Sequence, residues 1–154
     1  MKTRAKIKSG ARRGATAVET AIVMLVLLTL VFGMLDLGVA IFRHHNLAQA
    51  ARQGARKAIV HGNLSSQLGA WGPETVTCKA SDPSPIAEAI RPFLVSLDLS
   101  KVDIVVEWLD GGNDGMSGHR VQVRVSAPYK PIMTFIFGNP SFTLRAESTM
   151  PIAH

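Results

Sequence analysis

The sequence predicts an α+β protein. A long N-terminal transmembrane helix continues into a small head that holds a short helix and a three-stranded antiparallel sheet. Three observations carry that expectation. From Ala15 to Phe42 the chain is apolar apart from Glu19 and Asp36. Beyond Phe42, apolar and small residues keep helical spacing to about Val60. After Val102, three segments alternate apolar with polar residues, as strands with one buried and one wet face do.

The first element is a basic tail. The chain has 154 residues, 17 Lys+Arg and 11 Asp+Glu, for a formal charge of +6. Lys2, Arg4, Lys6, Lys8, Arg12 and Arg13 stand before Ala15 with no acid among them, so the remainder is neutral. A nucleic-acid surface would spread its cations over a folded face with aromatics between them. Here they form a short tail without an aromatic, directly before an apolar run, so no nucleic-acid partner is expected. That order orients a membrane segment with its N-terminus in the cytoplasm. The single cysteine, Cys78, excludes an internal disulfide and a multi-Cys metal site.

The apolar run is long enough to span a bilayer. Ala21–Leu35 carries no charge. Glu19 and Asp36 would be about 25 Å apart along a helix, close to the hydrocarbon thickness of roughly 30 Å. The run is longer than a secretory signal core, and an acid sits at its start. Arg12-Arg13 is not followed by the apolar pair of a twin-arginine signal. A carboxylate in hydrocarbon costs about 2.5–3.5 kcal/mol even on mild scales, so Glu19 calls for a partner. Cleavage after Gly14 would create one: the α-amine of Ala15, on a neighbouring helix or more weakly on its own. The alternative for Glu19 is an interfacial acid. Asp36 reads either as an interhelical contact or as an interfacial residue meeting headgroups and water.

A basic leader ending in Gly14, an apolar helix after it, and Glu19 as the fifth residue past that glycine resemble a type IV pilin-like prepilin signal. Arg13-Gly14-Ala15-Thr16-Ala17-Val18-Glu19 looks like the start of TadE-like proteins, the pseudopilins of Tad (Flp) pilus systems. Phe32-Gly33 with Asp36 and Gly38 looks like the end of their membrane helix. Ala50-Ala51-Arg52-Gln53-Gly54-Ala55-Arg56 looks like their Ala-Ala-Arg-x-Gly-Ala-Arg motif. The three motifs fall in order over most of residues 13–60. The major Tad pilin usually has Tyr after the Glu and is far shorter, so Thr20 and the long C-terminal region point to the minor, TadE-type member. The resemblance implies that a prepilin peptidase cuts between Gly14 and Ala15. It also implies that Glu19 serves assembly, and that the partners are other pilins or pseudopilins, the inner-membrane assembly platform and membrane lipid. The head would then be periplasmic, possible incorporation into an extracellular pilus included.

The helix continues past the membrane. Leu47, Ala51, Ala55, Ala58 and Ile59 share one face, while Arg52 and Arg56 leave it for solvent. Gly54 weakens a helix by about 1 kcal/mol relative to Ala, which suggests close packing. The small-residue stripe fits core packing on a sheet, or, more sharply, subunit packing along a filament. Gly33 and Gly38 offer close helix approach without forming a GxxxG pair. His61-Gly62-Asn63 is the expected stop, with Gly62 as a cap.

In the head, Leu64–Ser81 reads as a loop. Asp82-Pro83 reads as an N-cap with proline at the first helical position, and Ile86, Ile90, Phe93, Leu94 and Leu97 as an amphipathic helix broken near Pro92. Strands are expected over 102–108, 120–125 and 142–150. Acids on the first would face Arg on the second, across a hairpin closed by Asp110–Gly118. Pro131–Phe137 is apolar enough to be partly buried or an interaction patch.

Other features offer little chemistry. Asp110–Gly115 lacks the third- and twelfth-position ligands of a calcium loop. His44 and His45 diverge by about 100° on a helix. Cys78 is a free or buried thiol, or pairs between chains. There is no nucleophile–base motif, phosphate loop or metal-ligand cluster, so neither an enzyme nor a cofactor is expected. The organisation expected is a leader over 1–14, a transmembrane helix over 15–42, its periplasmic continuation over 43–61 and the head over 62–154. The alternative function is an uncleaved signal-anchored envelope protein whose head binds a ligand or partner.

Overall fold

The computed structural model describes residues 10–61, 75–110, 119–133 and 141–152, with residues 10–13 described by their backbone alone. One helix dominates. α1 runs over Gly10–Ala58, 49 residues, or about 73 Å at 1.5 Å per residue. It begins before the expected Ala15, so the end of the basic leader is already helical. The expected Gly62 cap lies outside the described residues.

α1 has two halves. From Gly14 to Leu35 nearly every side chain is exposed, and the helix is long and apolar enough to cross a membrane. Its hydroxyls turn inward: Thr20 Oγ1 donates to the Thr16 carbonyl at 2.9 Å, and Thr29 Oγ1 to the Leu25 carbonyl at 2.8 Å. Such i−4 bonds hide polar groups where no water can meet them. From Asp36 onward one face of the helix is covered by the head.

The head is a four-stranded antiparallel sheet in the order β1-β2-β3-β4, comprising Val76–Lys79, Asp103–Trp108, Arg120–Tyr129 and Phe142–Pro151. The expected sheet had three strands; β1 corrects it. β1 falls at the end of the segment read as a loop. It has four residues, Val76 at its start is exposed, and only Cys78 turns toward the core. So short an edge strand shows no alternation that separates it from a loop. It is real by its pairing, with Val76 opposite Val106 and Cys78 opposite Ile104. The other three strands lie where alternation placed them, and β3 runs on to Tyr129.

β3 is the spine of the core. Val121, Val123, Val125, Ala127 and Tyr129 are buried, and the residues between them are not. The first four pack with Ile104 and Val106 of β2 and with Leu47, Ala50, Ala51, Ala55 and Ala58 of α1, whereas Tyr129 meets α1 further down, at Asp36. The wet face carries Arg124, whose Nη1 meets Glu107 of β2 at 3.2 Å and whose Nε lies 3.6 Å from Glu147 of β4. The expected acid-to-Arg facing is therefore present, and a second acid joins from β4.

α2, Pro85–Ile90, covers the same core beside α1. Its N-cap is Ser84, not the expected Asp82: Ser84 Oγ accepts the Ala87 N–H at 3.2 Å, and Pro85 holds the first helical position. The two dipeptides carry the same cap chemistry. Asp82 is occupied elsewhere, its carboxylate accepting the Lys79 N–H at 2.7 Å where β1 ends. The helix stops before Pro92, which sits in a 3-10 turn over Arg91–Phe93. The Arg91 guanidinium donates to the carbonyls of Ala80, Ser81 and Asp82, tying α2 to the end of β1.

Candidate functional site

Among the described residues, the one buried carboxylate lies where the head meets α1. Asp36 stands on the α1 face that continues downward from Leu47 through Arg43 and Ala40, at spacings of three and four. β3 runs antiparallel to α1, so its last residue, Tyr129, arrives at this level. Two residues on, Pro131, with φ restricted by its ring, leads into the turn at Ile132 and Met133.

The Asp36 carboxylate is buried, 9% exposed, and accepts three hydrogen bonds from the head. Oδ1 takes the Ile132 N–H at 2.7 Å and the Tyr129 hydroxyl at 3.4 Å; Oδ2 takes the Met133 N–H at 2.9 Å. The same hydroxyl lies 2.9 Å from the Asp36 carbonyl, its shorter contact. Two turns above Asp36, the Arg43 guanidinium carbon lies 5.3 Å from the centre of the Tyr129 ring. Burial raises the Tyr129 phenol above its ordinary value, with the Asp36 charge and hydrogen bond adding to it and Arg43 opposing. Charge-assisted bonds to two backbone donors offset the desolvation of a carboxylate. The arrangement is a latch: an acid on the helix holds a turn of the head.

Of the two readings of Asp36, interhelical contact and interfacial acid, neither describes these bonds, which lie within one chain. Tyr129 and Arg43 were not given a role by sequence, and Ile132 and Met133 entered only as part of the apolar Pro131–Phe137 segment. The usable signal was positional: residues 36, 40, 43, 47, 51, 54 and 58 continue a single helical stripe, so Asp36 belongs to the head-facing side.

The other expected site residues divide by level. Gly14, Ala15 and Glu19 are exposed on the uncovered part of α1, and Glu19 has no polar partner among the described residues. A Cβ on Gly33 would lie 4.0 Å from Met133 Sδ, whereas one on Gly38 would meet nothing within 4 Å. Ala51 and Ala55 are fully buried, so the small-residue stripe packs on the chain's own sheet. Gly54 is the tight point: a Cβ there would stand 3.0 Å from Val123 Cγ1 and 3.4 Å from Ile90 Cγ2. Arg52 and Arg56 are exposed without an ion pair among the described residues. His44 and His45 are exposed, and Cys78 is a free, half-buried thiol 3.5 Å from Ser84 Oγ. Of the Asp110–Gly118 loop and the Pro131–Phe137 segment, residues 111–118 and 134–137 lie outside the described residues. Asp110 itself clamps the neck of that hairpin, accepting both the backbone N–H and the guanidinium of Arg120 at 2.7 and 2.8 Å.

Fold and latch together define a class: a small α+β head held against one apolar helix that fits a single-pass membrane anchor. Residues 14–56 match the family model described as TadE-like protein. The match begins at Gly14 and ends at Arg56, all of it within α1. No curated protein and no solved structure matches the chain. A TadE-like segment on an N-terminal apolar helix suggests a Tad pilus-associated protein.

Proposed function

We propose that the protein is a pseudopilin, a minor pilin-like component of a Tad-type pilus assembly or secretion system. The observation that carries this reading is the TadE-like match, which starts at Gly14. On that reading the basic leader keeps the N-terminus in the cytoplasm, and a prepilin peptidase cuts between Gly14 and Ala15. The mature chain waits in the inner membrane with its head in the periplasm. Exposure of the whole helix surface around Glu19 supports a role for that acid between chains, since the head covers none of it. The Ala15 amine of a neighbour is its partner during assembly, a short-range ion pair in a medium of low dielectric.

N-terminal sequencing of the membrane-bound protein, expressed with a prepilin peptidase, tests the reading. Ala15 as first residue supports the pseudopilin; Met1 supports an uncleaved anchor that presents its head to an envelope partner. Glu19→Ala is expected to remain in the membrane and to lower pilus assembly. Assembly at the wild-type level in that variant would remove the pairing.

A further inference from the structure

The latch places one end of the head at a defined height. Asp36 lies about 25 Å along the helix from Glu19, near the distance that separates the two faces of the hydrocarbon layer. The head is held at Asp36 with no spacer, and Met133 reaches one turn deeper, to Gly33.

Two large apolar side chains stand open at this end. Ile132 is 56% exposed in the latch turn, and Phe142 is 55% exposed at the start of β4, paired with Tyr129. Between Phe142 and the helix lies an open groove of about 410 Å³, lined by Gly33, Leu37, Met133, Phe142 and Leu144, with Asp36 the only charged group among the described lining residues. Leu37, at 63% exposure, makes the groove continuous with the bare helix surface below. The exposed Lys130 flanks the turn, and a lysine beside an apolar surface can lay its stem along it while its ammonium reaches for phosphates.

We propose that this end of the head is seated in the membrane. Ile132 and Phe142 enter the headgroup–acyl boundary of the leaflet on the head's side, and lipid acyl chains fill the groove. The proposal rests on α1 spanning the bilayer. Lipid is the occupant because the groove opens onto the same helix surface that lipid covers below it. Interfacial apolar side chains of this kind sit about 5–10 Å into that boundary.

The test uses the full chain in vesicles of phosphatidylethanolamine and phosphatidylglycerol, in a Cys78→Ser background. Single cysteines at Ile132, Phe142, Leu25 and Thr149 carry an environment-sensitive fluorophore. Leu25 reports on the span, and Thr149 lies about 23 Å further along β4 from Phe142. Quenching is measured with aqueous iodide and with lipids bearing a nitroxide high on the acyl chain. The expected result is a several-fold lower iodide quenching constant at 132 and 142 than at 149, together with quenching by the nitroxide lipid. Iodide access at 132 and 142 equal to that at 149, with Leu25 quenched by lipid, overturns the seating and leaves the span intact. Protection from both quenchers means protein covers the patch, and also overturns it. A Leu25 probe reached by iodide and not by lipid removes the span, and the seating with it.

Discussion

Asp36 is an acid on an otherwise apolar helix, and its cost is met by donors from residues nearly a hundred positions away in sequence. Each buried donor left without an acceptor costs about 1–3 kcal/mol. Asp36→Ala strands the N–H groups of Ile132 and Met133, so the head should lose several kcal/mol. Asp36→Asn keeps one acceptor oxygen and should fall between. Urea unfolding of detergent-solubilised protein, followed through tryptophan fluorescence in a Trp71→Phe background that leaves Trp108 as the reporter, checks the order; equal stability of the three proteins would refute the latch. Gly54 works by size. Gly54→Ala gains about 1 kcal/mol of helix propensity and loses about 1–3 kcal/mol to overpacking against Val123 and Ile90. The net is a loss of about 0–2 kcal/mol in the same titration. Gly38→Ala, with open space around it, should instead be neutral or stabilising. Close packing at Gly54 was legible in sequence, because a glycine inside a small-residue stripe has few other uses. The partners of Asp36 were not, since nothing local in the turn after Tyr129 distinguishes an N–H aimed at a carboxylate.

At the scale of elements, alternation located β2, β3 and β4 because each has enough residues to show a buried and a wet face. β1 was missed because its four residues do not. The cap expected at Asp82-Pro83 falls two positions on, at Ser84-Pro85, which carries the same chemistry. Side-chain hydrogen bonds distinguish the two, because Asp82 is turned back to Lys79. The β2–β3 hairpin has an acid-sensitive neck. The Arg120 guanidinium and backbone N–H hold the Asp110 carboxyl down to about 2 from an ordinary 3.8. A carboxylate with a lowered folded value stabilises fully above its unfolded value. The contribution is therefore complete above pH 3.8 and is lost as pH falls toward 2. Hydrogen exchange at Leu109, whose N–H donates to the Arg120 carbonyl at 2.9 Å, should quicken across that window, and Asp110→Asn should flatten the dependence. Asp98 titrates over the same window, held down by the Ser100 hydroxyl and then Lys101. It lies near the start of β2, so local exchange separates the two.

For the whole molecule, the sequence divides into a charged leader, a bare helix and a covered helix, and each division has a physical origin. All six excess charges lie before Ala15, so a chain processed there is neutral. Removal of the leader should lower the salt sensitivity of binding to anionic vesicles while costing only the helix from Gly10 to Gly14, measured by flotation and circular dichroism. The family resemblance was readable because its motifs lie in one helix, where spacing alone sets which residues share a face. The head was readable as an α+β unit but not as a site, because its site forms only when the end of β3 meets α1.

The sheet is joined to α1 at two places. The chain leaves the helix after Ala58, and the latch returns to it at Asp36, about 33 Å away. A beam fixed to a plate at both ends cannot bend independently of it. The covered half of α1 is therefore splinted, and curvature is confined to the half below Asp36. Tension along the helix axis would be carried in shear across the Leu47–Ala58 seam.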